Sequence, residues 1–141
     1  MNDRLRPGTS IRQVNSPDVM AGPGYSHAVT ADGPGRLVIV SGQVPLNVDG
    51  EIVGAGDLRA QTRQVFANLG AALAAAGASW EHVVKLGYFM RDASQVGIVR
   101  AVREEALPAG IEPAATLVEV SRLVRDDLLI EIEALAVVPV G

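Results

Sequence analysis

The chain has 141 residues, of which 48% are hydrophobic, with a net charge of −4 and no cysteine. This length fits one domain, and the absence of cysteine excludes disulfides, thiol nucleophiles and cysteine-ligated zinc. The acidic balance disfavours a nucleic-acid binder, and no apolar run suits a signal peptide or a membrane span.

We therefore expect one cytoplasmic domain over residues 1–141 that binds neither nucleic acid nor a membrane. Residues 1–18 carry prolines, a glycine and charges, which favours a partly flexible start with one strand at most. Glycine and proline then punctuate the chain in the manner of tight loops. Short strands are predicted at 27–30 and 37–40, joined by a turn at 32–35.

A helix is predicted over residues 58–76, where apolar side chains recur every three or four positions. Asp57 suits its N-cap, since a carboxylate can accept hydrogen bonds from the free backbone N–H groups of the first turn. Gly77 suits its end, because glycine readily adopts the left-handed conformation that stops helices.

A strand follows over residues 82–90, and a second helix is expected from Asp92 to about Leu107. Arg100 and Arg103 are predicted to lie on the flank of this second helix, beside its buried face. Further strands are predicted at 115–120 and 128–138, separated by a charged turn.

The element order ββ-α-β-α-ββ predicts an α+β fold with two helices on one face of a mixed sheet. No helix remains to cover the other face. Since 48% of the residues are hydrophobic and 15 more are glycine, the chain is richer in apolar residues than a usual domain. We therefore expect the uncovered face to form an oligomer interface.

Motifs for metal, phosphate and dinucleotide binding are absent from the sequence, as is the usual motif of a serine nucleophile. The two histidines, His27 and His82, lack the spacing of metal ligands, so structural roles are favoured for both. Glu131 and Glu133 share one face of the last strand. Two carboxylates among isoleucines and leucines favour raised pKa values and acid–base chemistry, although a solvated pair that forms salt bridges is the alternative.

Several short motifs, read together, resemble one known family. They are "SGQVP" at 41–45, "QTRQVFANL" at 61–69, "VEVSRL" at 118–123 and "IEIEALA" at 130–136. The chain resembles the RidA (YjgF/YER, endoribonuclease L-PSP-like) family along nearly its whole length. The resemblance implies a chorismate-mutase-like fold, a homotrimer with three clefts between subunits, and hydrolysis of reactive enamines and imines to keto acids and ammonia. It implies no metal and no cofactor.

The resemblance also implies particular site residues. Glu131, the first glutamate of "EIEA", corresponds to the family's acid–base group. Tyr25, within "GPGYSHA", corresponds to a tyrosine of the cleft, and Ser41 and Gly42 would line the cleft through their backbone groups. The alternative for these three residues is structural: Tyr25 would pack against the core, and Ser41 and Gly42 would shape a strand end.

Ala115 marks a departure from the family pattern. Archetypal members carry a motif close to "PARSxVEV", whose arginine clamps the substrate carboxylate, whereas this chain reads "PAATLVEV" with Leu117 two positions later. A bidentate arginine–carboxylate pair binds strongly, so its loss favours a divergent branch. Two alternatives follow. Either Arg100 supplies a positive charge from another wall of the cleft, or the cleft binds a neutral or apolar ligand.

Three functions remain open at this point. The favoured one is a trimer that binds or hydrolyses a small enamine, imine or related carbonyl metabolite. The second is a metabolite-binding or regulatory trimer without catalysis. The third is a ribonuclease or translation inhibitor, which the acidic charge and the lack of a histidine pair disfavour.

Overall fold

The structure, a computed structural model, describes residues 2–3 and 10–140. Within them it contains seven strands, two α-helices and two short 3-10 helices, at Trp80–His82 and Ala93–Gln95. The longer elements are β1 Asn2–Asp3, β2 Ser10–Val14, β3 Ala28–Asp32, β4 Gly35–Gln43, α1 Leu58–Ala75, β5 Val83–Met90, α2 Val96–Ala106, β6 Ala114–Glu119 and β7 Ile130–Pro139.

Two sheets organise these strands. The larger has the order β4-β7-β5-β6, with β5 and β6 parallel and the other pairs antiparallel. Both helices pack on one of its faces, so the predicted α+β fold with a mixed sheet is confirmed. A smaller antiparallel sheet, β1-β2-β3, lies beside it. The predicted strands at 27–30 and 37–40 appear as β3 and β4, but they belong to different sheets.

The helix ends follow the predicted chemistry. Asp57 accepts a hydrogen bond from the Ala60 N–H at 3.1 Å, and Gly77 has a φ of +74° just after α1. Asp92 caps the short 3-10 helix that leads into α2, because its carboxylate accepts from the Ser94 N–H at 3.0 Å. Arg100 and Arg103 were both predicted to lie on the flank of α2. Arg100 is exposed, but the prediction was wrong for Arg103, which is buried.

The core lies between the helices and the larger sheet. Its central contributors on β7 are Ile130, Ile132, Ala134 and Ala136, which alternate with residues that point to the opposite face. Burying an isoleucine or leucine side chain fully contributes roughly 1.5–3 kcal/mol. A continuous row of such residues on β4, β5 and β7 therefore holds the helices on this face.

No helix of the described residues packs on the opposite face of the larger sheet. On β4 this face exposes Leu37 (61% exposed) and Ile39 (72%), which pair with Val137 and Leu135 of β7. An exposed apolar surface of this kind on adjoining strands is unusual for a sheet that meets only water. We call this surface the helix-free face.

The smaller sheet is tied to the loop that leads into β6. The Gln13 side chain donates to the Gly110 carbonyl at 3.0 Å and accepts from the Glu112 N–H at 2.7 Å. The Ser26 hydroxyl donates to the Glu112 carbonyl at 2.6 Å. These bonds hold Tyr25, the residue before Ser26, beside β6. The prediction of a partly flexible segment at 1–18 concerns residues that lie in part outside the described chain.

None of the helices in the described residues has the length and apolar character needed to cross a membrane.

Candidate functional site

The site residues predicted from the sequence fall into two groups on opposite faces of the larger sheet. Tyr25, Arg100, Ala115 and Leu117 line one cavity of about 390 Å³ beside α2. Ser41, Gly42 and Glu131 lie together at the other face. We call the first group's space the α2 cavity and the second group the Glu131 cluster.

Two neighbouring elements form most of the α2 cavity. Ala115 and Leu117 lie on β6, where they pair with Leu86 and Tyr88 of β5, whose side chains belong to the core. The cavity therefore lies on the helix side of the sheet. Arg100 comes from α2 and is exposed at the cavity wall, so it lines the same cavity as Ala115.

Tyr88 and Arg103 also line the α2 cavity, and the sequence analysis assigned neither to the site. Both are buried, with 4% of Tyr88 and 9% of Arg103 exposed. Burial raises the pKa of the Tyr88 hydroxyl to about 12. The charge and the hydrogen-bonding groups of nearby Arg103 act in the opposite direction and lower this pKa, but their effect is smaller. Even so, neither the Tyr88 Oη nor the Arg103 Nη2 has a hydrogen bond of acceptable geometry within the described residues.

A signal for Arg103 was present in the sequence. Val96, Val99 and Arg103 follow the spacing i, i+3, i+7, which places them on one stripe of a helix. An arginine in phase with buried valines points into the protein rather than along the flank. Gly24 covers the Arg103 guanidinium. It packs so close that a Cβ at this position would overlap the guanidinium, and its φ of +73° also favours glycine.

The Glu131 cluster is built on a close approach between two strands. Glu131 points to the helix-free face of β7, and its carboxylate lies where a Cβ of Gly42 would be. Any other residue at position 42 would displace the carboxylate. Ser41, exposed at the end of β4, precedes it.

The surroundings of the Glu131 carboxyl group favour its protonated form. Partial burial raises its pKa, and the negative charge of Glu133 on the same strand raises it further. Within the described residues no hydrogen bond or ion pair engages the Glu131 carboxylate, whereas Glu133 is the more exposed of the two. A carboxyl group with a raised pKa and free oxygens is suited to accept a proton and to return it.

The histidines form local hydrogen bonds. His27 Nδ1 accepts from the Ser16 N–H at 3.0 Å, and His82 Nδ1 accepts from the Ser79 N–H at 3.0 Å. Residues 2–3 and 10–140 contain no group of three potential metal ligands close enough to share an ion. That the reaction needs no cofactor stays a prediction.

With this geometry in hand, comparison with known proteins identifies the family. The family model described as endoribonuclease L-PSP matches residues 15–138. The chain belongs to this family, that of the RidA (YjgF) proteins.

Two curated RidA-family relatives cover most of the chain. A RutC family protein of Synechocystis is 38% identical over 116 residues, which span 82% of this chain and 86% of the relative. The 2-iminobutanoate/2-iminopropanoate deaminase of Escherichia coli is 39% identical over 106 residues, which span 73% of this chain and 80% of that enzyme.

Among solved structures, the Rid-family protein YyfB of Yersinia pestis matches with a TM-score of 0.75 and 37% identity. The match covers 89% of this chain and 97% of that one. The RidA assignment from the sequence motifs is therefore confirmed. The roles of Glu131, Tyr25, Ser41, Gly42, Arg100, Ala115 and Leu117 stay predictions, as does the loss of an arginine at position 115.

Proposed function

We propose that this RidA-family chain hydrolyses a small imine, or the imine form of an enamine, to a carbonyl compound and ammonia. The observation that carries the proposal is the Glu131 carboxyl group, which lies against Gly42 with a raised pKa and without a hydrogen-bond partner in the described chain. The similarity to the 2-iminobutanoate/2-iminopropanoate deaminase of Escherichia coli supports the reaction class.

The reaction would take place in a cleft between two subunits. Glu131 points to the helix-free face, whereas Ala115, Leu117 and Arg100 line the α2 cavity on the helix side of the same sheet. A small ligand cannot reach both faces of one sheet. An interface formed by Leu37, Ile39 and their neighbours would bring the Glu131 cluster of one subunit to the α2 cavity of the next.

A homotrimer is the assembly that we propose for this interface. A closed ring of three subunits uses two different surfaces of each chain, one on either side of the contact. The helix-free face and the α2 cavity meet this requirement because they lie on opposite faces of the sheet. The exposed apolar residues of β4 would be removed from water in the same contact.

The chemistry follows from the electrophilic imine carbon. The imine enters with its nitrogen protonated. Ionised Glu131 accepts a proton from a water molecule as the water oxygen bonds to the imine carbon and the C=N electron pair moves to nitrogen, which gives a neutral carbinolamine with a hydroxyl and an amino group. Glu131 then gives its proton to the amino nitrogen. As the C–N bond breaks and ammonia leaves, Glu131 accepts the hydroxyl proton while the C=O bond forms, and that proton finally passes to solvent.

The cleft would contribute mainly by orientation and proton transfer. Positioning the water and the imine carbon within reacting distance lowers the entropic part of the barrier. A positioned general base contributes typically about 10²–10⁴-fold. A carboxylate whose pKa lies above its usual value is a better proton acceptor than an exposed glutamate, so partial burial of Glu131 serves the reaction.

The proposal is tested in an assay that generates imines in situ. An amino-acid oxidase supplies imines of small neutral amino acids, and their loss is followed with and without the purified protein. We expect micromolar protein to accelerate the loss by at least about tenfold over buffer. Saturable binding together with decay at the buffer rate would contradict the proposal and favour the non-catalytic metabolite-binding trimer.

A further inference from the structure

The α2 cavity contains a positive charge that no protein group within the described chain neutralises. Arg103 is nine-tenths buried, and its Nη2 atom has no hydrogen bond. Arg103 also borders a second cavity of about 340 Å³ together with Glu104 and Glu112. Neither carboxylate forms an ion pair with it. Burying an unpaired charge is costly, so Arg103 does not stabilise the fold through its charge.

Tyr88 adds a second unpartnered group at the same place. Tyr88 lines the α2 cavity, and its buried hydroxyl has no hydrogen bond in the described chain. The Arg103 charge acts on this hydroxyl, so the two groups are near neighbours. A guanidinium and a neighbouring hydroxyl can donate together to one anionic group.

The rest of the cavity suits a small organic anion. Among the described residues of the same chain, no aspartate or glutamate lines it, and Arg100 adds a second positive charge at its exposed wall. Val96, Val99 and Leu117 supply an apolar wall. A volume of about 390 Å³ is enough for a molecule of a few carbon atoms and its waters.

We propose that Arg103 and Tyr88 form a carboxylate-binding site, in which the Arg103 guanidinium and the Tyr88 hydroxyl turn toward the cavity and donate to the carboxylate oxygens of a small aliphatic acid. The aliphatic part lies against Val96, Val99 and Leu117. The inference rests on the proposed function in so far as this acid is the substrate of the same cleft.

This site revises the two alternatives drawn from Ala115. Those alternatives were a positive charge from Arg100 and a neutral or apolar ligand. The buried and unpartnered arginine is Arg103, one turn further along α2, and it reaches the cavity that Ala115 leaves open. The positive charge therefore comes from the helix rather than from β6.

The test uses butanoate and its neutral isostere butanamide as probes, with binding measured by calorimetry on the whole protein. We expect wild type to bind butanoate at least about tenfold more tightly than butanamide, because the two differ mainly in charge. Arg103→Met should weaken butanoate binding by about 10–100-fold and Tyr88→Phe by about 3–10-fold. Arg100→Met should cost less than Arg103→Met.

A matched control and a second measurement separate binding from folding. Arg63→Met removes an exposed arginine of α1 that pairs with Glu105, so its butanoate affinity should equal that of wild type. The melting temperatures of Arg103→Met and Tyr88→Phe without ligand should equal or exceed that of wild type, since each change removes an unsatisfied buried group. If Arg103→Met does not fold, the butanoate affinity of Tyr88→Phe still tests the proposed site.

Equal affinity of wild type for butanoate and butanamide would overturn the inference, as would wild-type affinity for butanoate in both Arg103→Met and Tyr88→Phe. Failure of the proposed function looks different. A protein that binds butanoate through Arg103 but does not accelerate imine loss retains this site and lacks the proposed reaction.

Discussion

Replacing Glu131 by glutamine is expected to lower kcat for imine hydrolysis by about 10²–10⁴-fold. The amide keeps the volume of the side chain beside Gly42 but neither accepts nor returns the proton that water attack and ammonia release require. The measurement is the oxidase-coupled imine assay at saturating substrate. Unchanged kcat in Glu131→Gln would show that this glutamate is structural.

Glu133→Gln is the matched control for this change. It alters the same residue type on the same strand and face, but Glu133 is exposed. The Glu133 charge contributes to the raised pKa of Glu131, so its removal should lower that pKa. Activity depends on ionised Glu131 and is lost as pH falls through its pKa. The acid limb of the pH–rate profile should therefore move to lower pH in Glu133→Gln, while kcat at neutral pH changes by less than about threefold.

Replacing Ile39 by aspartate is expected to dissociate the proposed homotrimer and to abolish the proposed hydrolysis. Ile39 is 72% exposed in the single chain and pairs with Leu135 on the helix-free face. Placing a carboxylate in a dry interface costs several kcal/mol, on the order of the whole stability of a micromolar contact. Light scattering should give about three times 14.7 kDa for wild type and about 14.7 kDa for the variant.

Val48→Asp provides the comparison for Ile39→Asp. Val48 is fully exposed in the tight turn between Asn47 and Glu51, away from the strands of the helix-free face. The same substitution there should leave the mass and the imine turnover as in wild type. A wild-type protein that stays monomeric at high micromolar concentration would contradict the trimer and remove the intersubunit cleft.

Local sequence signals predicted the fold well because each acts over a few residues. The spacing of apolar residues in α1, the Asp57 cap and the Gly77 stop all depend on neighbours within one or two turns. The pairing partner of β3 was harder to predict from the sequence. A turn at 32–35 suggests neighbouring strands, but β3 pairs with β2, and β4 pairs with β7 about a hundred residues away.

The candidate site was harder to predict for a physical reason. Motif resemblance located Glu131 and Ala115, but it carries no information where this chain differs from the pattern. The charge that compensates for Ala115 lies on α2 at Arg103, and its importance depends on burial and on the missing partner of Tyr88. Those properties arise only when the loop at Gly24 closes over the helix.

The most direct test of the shared cleft is complementation between two inactive variants. Glu131→Gln removes the proton acceptor, and Ala115→Trp fills the α2 cavity of the same chain. If each cleft takes Glu131 from one subunit and Ala115 from the next, random mixing and reassembly should restore about a quarter of the wild-type clefts. We predict imine turnover in the mixture near that fraction, far above either variant alone. Turnover in the mixture no higher than the mean of the two separate variants would contradict a site built from two subunits.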